Sequence, residues 1–198
     1  MALRNSVKTR IIKNIVNSIV KAYNIIVVDD PFHEIPYENT RRNCLVDTIK
    51  SNKLIKHGLI TTEESAYDKT TFLDIGRMDI SIRLDFSESK LIVAECKRFL
   101  SGNINKSNFN KEYVGEGIDR FTKKNMYPCP CDCAIMIAFL ETGDFSKLNK
   151  LLSTNLNTMS NNFCDASTIY SHKYCYEGDI STIRFVHILM DFSAAKSI

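Results

Sequence analysis

The spacing of apolar residues along the 198-residue chain predicts a mixture of helices and strands. Apolar side chains recur every three to four residues over 3–23, which is the period of an amphipathic helix. A second helix is predicted from about 36 to 52, and a strand over about 57–66. Two segments in which apolar and polar residues alternate, 77–85 and 90–97, predict a β-hairpin.

The second half of the chain continues the same alternation of elements. A helix is predicted over 112–124, and the continuous apolar run at 133–140 indicates a strand covered on both faces. A further helix is predicted over 145–157 and a last strand over 182–190. The order helix, strand, strand, strand, helix, strand predicts an α/β/α sandwich around a mixed sheet.

The chain contains no repeat and no low-complexity linker, so one domain is predicted for residues 1–198. Its core is expected at about 36–142. Residues 1–30 would form an N-terminal helical extension, and 143–198 would add a helix and a strand.

The amino-acid composition says less about function than the positions of particular residues along the chain. The formal charge of +3 is too small to indicate nucleic-acid binding by itself, so such an inference must rest on where the charges lie. The chain has seven cysteines and no recognisable secretory signal, which predicts reduced thiols in a cytoplasmic protein. It has no apolar run of about 18 residues, so it is not expected in a membrane. Residues 1–28 are basic and lack acids, which is typical of a transit peptide, but their apolar stripe favours a helix packed on the domain.

The hairpin holds the candidate chemistry. If its loop is centred on Ser87, Asp79 lies opposite Glu95, and alternation puts both on one face with Lys97. The same alternation would place Met78 beside Ile80 on the apolar face. Two converging carboxylates next to a lysine indicate a divalent-metal site, and the alternative is a salt-bridged pair on a solvated sheet face.

The roles within such a site follow from the residue types. Asp79 and Glu95 would bind Mg²⁺ or Mn²⁺, and the backbone carbonyl of Cys96 could add a ligand. Lys97 would orient or help deprotonate the attacking water and offset the charge that develops on the phosphate. These chemistries together predict a metal-dependent phosphodiesterase.

An Asp, a hairpin turn and Glu-x-Lys on the next strand resemble the PD-(D/E)XK nuclease superfamily, whose members share the restriction-endonuclease-like fold. The segments Gly76-Arg-Met-Asp-Ile80, Ile92-Val-Ala-Glu-Cys-Lys-Arg98 and Tyr113-Val-Gly-Glu-Gly-Ile-Asp-Arg-Phe121 look like bacterial proteins of this kind, often host-defence effectors. The resemblance covers about residues 36–142 and departs from the family pattern at Met78, where the motif has proline.

The resemblance implies an additional acidic residue from the helix before the hairpin. Glu38 fits better than Glu34 because it belongs to the first turn of that helix, although a carboxylate is also favoured there by the helix dipole alone. Arg41 and Arg42, in the next turn, are expected to be solvated surface charges.

Basic and aromatic residues around the motif are candidate contacts to nucleic-acid phosphates, with solvated charge as the alternative. Val114, Ile118 and Phe121 are expected to face the core. The candidates are Arg98, Tyr113, Arg120 and Lys124, and the resemblance adds His172, otherwise a loop residue. Gly117 in the same helix would permit close approach to the sheet or to nucleic acid.

Cys129, Cys131 and Cys133 have one-residue gaps, whereas structural zinc sites use gaps of two to four residues. They are therefore expected to pack at the entrance of a strand rather than to bind zinc.

The sequence thus predicts a nuclease acting on DNA, with RNA not excluded. A homo-oligomer or an activating partner could bind through the N-terminal helix. The alternative is a non-catalytic nucleic-acid-binding or assembly module that retains the fold.

Overall fold

A computed structural model describes most of the chain: residues 5–29, 37–67, 74–85, 91–123, 126–127, 129–155, 159–160, 169–175 and 182–193. The helices are α1 (Asn5–Asp29), α2 (Glu38–Ser51), α3 (Lys106–Asn108), a π-helix (Phe109–Ile118), α4 (Asp119–Thr122) and α5 (Phe145–Asn155). The strands are β1 (Gly58–Tyr67), β2 (Asp74–Leu84), β3 (Leu91–Phe99), β4 (Cys133–Leu140), β5 (Met159–Ser160), β6 (Ile169–Cys175) and β7 (Thr182–Asp191).

The described strands form one mixed sheet. Five of them, in the order β1-β2-β3-β4-β7, make its body, and β6 and β5 extend it to seven. The strands β1, β2 and β3 are antiparallel neighbours, whereas β4 is parallel to both β3 and β7. The parallel step from β3 to β4 needs a crossover, and the helical segment from α3 to α4 supplies it.

Helices cover both faces of this sheet. On one face, α1 and α2 pack against alternate strand residues such as Ile80, Ala94 and Ile135, and we call this the first core cluster. On the other face, the π-helix, α4 and α5 pack against residues such as Val93 and Met136, the second core cluster. The α/β class and the mixed sheet predicted from the sequence are therefore confirmed.

The C-terminal part of the chain belongs to the sheet more fully than predicted. β7 lies inside the sheet, between β4 and β6, and pairs with β4 along its length. The prediction of one helix and one strand for 143–198 was wrong, because β6 and β5 add two strands beyond it. β6 has polar residues at its centre, so the apolar pattern gave no sign of it.

The N-terminal helix is part of the core. α1 extends to Asp29, six residues beyond its predicted end, and Ile15, Val16 and Ile19 are almost fully buried. By length and composition, Thr9–Val28 could cross a membrane, with a mean hydropathy of 1.4. Such a stretch is also what a buried core helix presents, and packing on the sheet accounts for its apolar stripe.

The helix after β3 departs from ordinary α-helical geometry. Its central ten residues, Phe109–Ile118, are a π-helix, in which hydrogen bonds join residues five apart and the period is longer than 3.6 residues. The residues facing the core are therefore Phe109, Tyr113 and Ile118, while Val114 is only half-buried. The inward face assigned from a 3.6-residue period was wrong at Tyr113, whereas Val114 does pack against the second core cluster.

Candidate active site

The hairpin has the register predicted for a loop centred on Ser87. Pairs run from Arg83–Leu91 through Ile82–Ile92 to Ile80–Ala94. Continued by one residue, this register would set Asp79 opposite Glu95. The described ladder ends at Ile80–Ala94, however, and the two strands separate where the candidate residues lie.

Strand alternation breaks at Asp79. Ile80 belongs to the first core cluster, but Met78 belongs to the second, on the opposite face of the sheet. On β1, Glu63 at the corresponding position has a left-handed backbone with φ 53°, and the ladder passes from Thr62–Ile80 to Glu64–Met78. The prediction that Met78 shares a face with Ile80 was wrong, because a left-handed residue interrupts the pleat.

Asp79 uses its carboxylate in place of a ladder hydrogen bond. Its Oδ2 accepts the backbone N–H of Cys96 at 2.8 Å, and its Oδ1 accepts Nη1 of Arg42 at 2.9 Å. The Asp79 side chain thus fixes the separated end of β2 to β3 and to α2 at once.

Glu95 is fully buried, and two cations contact the same carboxylate oxygen. Its Oε1 accepts Nζ of Lys97 at 2.8 Å and Nη1 of Arg120 at 3.0 Å, while its buried Oε2 has no hydrogen-bond partner among the described residues. Burial, and then the negative charge of Asp79, raise the pKa of Glu95 to about 7 despite the two cations. Asp79 and Glu95 therefore interact electrostatically, but the direct cross-strand pair predicted from the sequence is not among the pairs of the described ladder.

Lys97 and Glu38 complete the cluster. Burial alone would lower the pKa of Lys97, but the carboxylates of Glu95, Glu38 and Asp79 together raise it. Glu38 lies in the first turn of α2, where its Oε2 accepts the backbone N–H of Arg98 at 2.7 Å. Burial, and also the charge of Asp79, raise the pKa of Glu38. The raised pKa of Lys97 keeps it protonated at neutral pH, which favours an electrostatic role over that of a general base.

Arg120 lies on the opposite side of Glu95 from the sheet, at the start of α4. Besides Glu95, it donates from Nη1 to the hydroxyl of Tyr127 at 2.6 Å, and that hydroxyl donates to the backbone oxygen of Arg77. This network connects α4 to the beginning of the hairpin. Arg98 is half-buried, and no described residue accepts a hydrogen bond from its buried Nε.

The remaining candidate site residues do not all lie near the carboxylate cluster. Tyr113 is fully buried, and its hydroxyl is 2.9 Å from Nδ1 of His187, so it is a core residue rather than a nucleic-acid contact. Lys124 and Glu34 lie outside the described residues. His172 lies in β6, where its backbone pairs with Phe185 of β7. The side chain of His172 lies outside the described part of the structure.

Arg41 and Arg42 lie in the helix beside the candidate site, and the prediction that both are solvated surface charges was wrong. Both are 2% exposed rather than solvated. Arg42 bridges Asp79 to Glu63, and Arg41 makes two hydrogen bonds, of 2.8 and 3.0 Å, to the buried carboxylate of Glu141. Two consecutive arginines on a helix give no local sign of burial, since their partners are distant in sequence.

The cysteine cluster packs as predicted. Cys129, Cys131 and Cys133 are free thiols at the entrance of β4, and the last two are buried. Burial raises the pKa of Cys133 to about 12, so it remains a thiol at neutral pH. Within the described part of the chain, no group of three or more His, Cys, Asp or Glu side chains is gathered closely enough to hold a metal ion.

Comparison with known proteins gives no match: no family model, no curated protein and no solved structure corresponds to this chain. The fold and the site define a mixed α/β protein with carboxylates and cations clustered where a β-hairpin separates.

Proposed function

We propose that this protein is a metal-dependent nuclease of the PD-(D/E)XK type that hydrolyses phosphodiester bonds of DNA with little sequence specificity. The observation that carries the proposal is the ion pair of Lys97 with the buried carboxylate of Glu95, together with the charge of Asp79, which acts on both groups. The order α2-β1-β2-β3-helix-β4, with β3 antiparallel to β2 and parallel to β4, supports a restriction-endonuclease-like fold.

The donor types support a hard divalent cation, but the described carboxylates are not gathered closely enough to hold one, so binding requires them to move together. In the part of the chain that the structure describes, the buried Oε2 of Glu95 is an acceptor without a hydrogen-bond partner, and carboxylate oxygens are the ligands that Mg²⁺ and Mn²⁺ prefer. Asp79, Glu95 and the backbone carbonyl of Cys96 would hold the ion, with Glu38 close by. When bound, the ion supplies a more acidic water and neutralises charge on the phosphate.

The protein's own groups then have distinct tasks. Lys97 remains protonated, so it orients the attacking water and stabilises negative charge on the phosphate oxygens. Arg120, which is 25% exposed and adjacent to Glu95, can reach a phosphate while it restrains that carboxylate.

Cleavage of supercoiled plasmid and of a labelled oligonucleotide with Mg²⁺ or Mn²⁺ tests the proposal. Wild-type protein should cut, whereas Glu95→Gln and Lys97→Met should lose at least 100-fold in rate. Lys111→Met is the matched control, because Lys111 is an exposed lysine that pairs with Glu112. Equal cutting by all four proteins, or no cutting by the wild type with either metal, would reject the nuclease.

One observation favours a second candidate, a nucleic-acid-binding or assembly module without catalysis. Both oxygens of Asp79 already have partners in Cys96 and Arg42, so its charge is compensated without a metal. This candidate predicts salt-sensitive DNA binding that EDTA does not change and that persists in Glu95→Gln. An effector that is silent until it oligomerises or meets a partner would instead cut only in the assembled state.

A further inference from the structure

A groove lies at the opposite end of α2 from the candidate active site. One wall is a stripe of α1 with helical spacing, and the other is the turn from Asn52 to His57, next to Leu84 and Asp85 at the end of β2. Its cavity volume is about 810 Å³, within the usual range of ligand pockets. Since α2 has 14 residues, the groove lies roughly 20 Å along the helix from Glu38.

The groove is strongly basic. Arg10 and Lys21 come from α1, and Lys53 and Lys56 from the turn, against one carboxylate, Asp85. None of these four cations makes an ion pair with a carboxylate in the described part of the chain. Four unpaired cations around one concavity indicate an anionic ligand.

Backbone strain coincides with this charge. Lys53 follows the C-cap residue of α2 and has φ 51°, a left-handed conformation for which glycine is the usual residue. Asp85, on the other side of the groove, has φ 50°. Lys53 thus lines the groove from a backbone conformation that glycine adopts at lower cost.

The remaining lining indicates what kind of anion fits. Ile11, Leu54 and Ile55 provide an apolar floor, and Asn14 and Asn17 provide amides that can both donate and accept hydrogen bonds. A surface that binds only phosphate needs no apolar floor, whereas the flat face of a nucleobase does.

We propose that this groove binds a nucleoside phosphate, with the phosphates on Lys53 and Lys56 and the base against the apolar floor. The ligand is either a free nucleotide or the end of a nucleic-acid strand, which share this chemistry. The groove is separate from the hairpin site, so the inference does not depend on nuclease activity.

Calorimetric titration in EDTA at low salt tests the groove with three probes: ATP, inorganic tripolyphosphate and a 5′-phosphorylated ten-residue oligothymidylate. The variants are Lys53→Gly and Lys56→Ala. Lys150→Ala is the matched control, because Lys150 is exposed on α5, on the other face of the sheet. Glu95→Gln separates this site from the hairpin site and should leave groove binding unchanged.

The proposal expects ATP or the oligonucleotide to bind, and each groove variant to weaken that binding at least tenfold while Lys150→Ala has no effect. Lys53→Gly should at the same time raise the Tm, since it relieves the left-handed backbone, so weaker binding cannot be ascribed to misfolding. Binding of ATP identifies a free nucleotide as the source, and binding of the oligonucleotide alone identifies a strand end. Tripolyphosphate binding as tight as ATP binding, no binding of either nucleotide probe, or equal losses in the Lys150→Ala control would overturn the proposal.

Discussion

Nη1 of Arg42 lies 2.9 Å from Oδ1 of Asp79, while Nη2 of the same guanidinium lies 2.8 Å from Oε1 of Glu63. The Arg42 side chain is only 3% exposed. One arginine of α2 thus neutralises the carboxylate proposed as a metal ligand, and a strained residue of β1 holds that arginine in place. A metal ion at Asp79 would compete with Arg42 for the same oxygen.

Arg42→Met should therefore lower stability and increase the response to metal. Removing one partner leaves the part-buried Asp79 without its compensating charge, which should reduce the free energy of unfolding by about 2–3 kcal/mol. Mg²⁺ should restore part of this loss, because it would supply positive charge at the same carboxylate. Urea unfolding with EDTA and with Mg²⁺ measures both effects.

Arg77→Met, at an exposed arginine on β2, is the control for Arg42→Met. The expected result is an unchanged metal response. If Mg²⁺ stabilises Arg42→Met less than it stabilises the wild type, Arg42 and the metal do not compete.

The raised pKa of Glu95, about 7, makes stability depend on pH. The pKa of Glu95 is near 4.5 in the unfolded chain and about 7 in the folded protein. Between pH 4.5 and pH 7, the folded protein therefore binds more protons than the unfolded chain. Its free energy of unfolding therefore falls as the pH rises through this window, by about 3 kcal/mol from this group. Glu95→Gln should remove that fall, measured in EDTA by urea unfolding at pH 4.5, 6 and 8.

Glu64→Gln provides the control of opposite sign. Burial would raise the pKa of Glu64, but hydrogen bonds from Arg83, Ser81 and Thr61 lower it. Its contribution is lost as the pH falls through its folded value, so this variant should flatten the acid side of the curve instead. A Glu95→Gln curve parallel to that of the wild type between pH 4.5 and 7 would contradict the assigned shift.

Gly117 makes room for the end of Lys97, which pairs with Glu95. A β-carbon added there would lie 2.6 Å from Cε of Met136 and 3.7 Å from Cε of Lys97. Gly117→Ala should stay within about 1 kcal/mol of the wild type, since only the flexible end of Met136 must move. Gly117→Leu should displace Lys97 from Glu95, costing about 1–3 kcal/mol and most of any nuclease activity.

Gly102→Leu is a suitable comparison for Gly117→Leu, because nothing lies within 4 Å of a β-carbon at position 102. Cleavage rates and unfolding curves of the two leucine variants should differ clearly. Equal behaviour would mean that Gly117 does not set the position of Lys97.

The buried pair of Arg41 and Glu141 should be a major contributor to stability. Both side chains are 3% exposed or less, and the guanidinium also lies 4.1 Å from the ring centroid of Phe192. Glu141→Ala should lower the free energy of unfolding by about 3–5 kcal/mol, because it removes the buried carboxylate that accepts two hydrogen bonds from the buried Arg41. Glu112→Ala, which breaks the exposed pair with Lys111, should have no measurable effect in the same urea titration.

Sequence reasoning was most accurate where structure is local. The predicted bounds of β4 are the observed ones, because eight consecutive apolar residues can only be a covered strand. The hairpin register was also predicted, since the loop length sets which residues pair. The helix predicted over 112–124 overlaps the observed helical segment, but the burial of Tyr113 was missed, because no residue pattern distinguished a π-helix from an α-helix.

By itself, the sequence determined the α/β class, most of the elements and the placement of Lys97 beside Glu95 on one strand face, because periodicity and register act over a few residues. Only the tertiary structure decided which cations compensate those carboxylates. Arg42 lies 37 residues from Asp79 and Arg120 lies 25 residues from Glu95. Such pairs form when a helix packs on a sheet, and burial then makes each charge dependent on its distant partner.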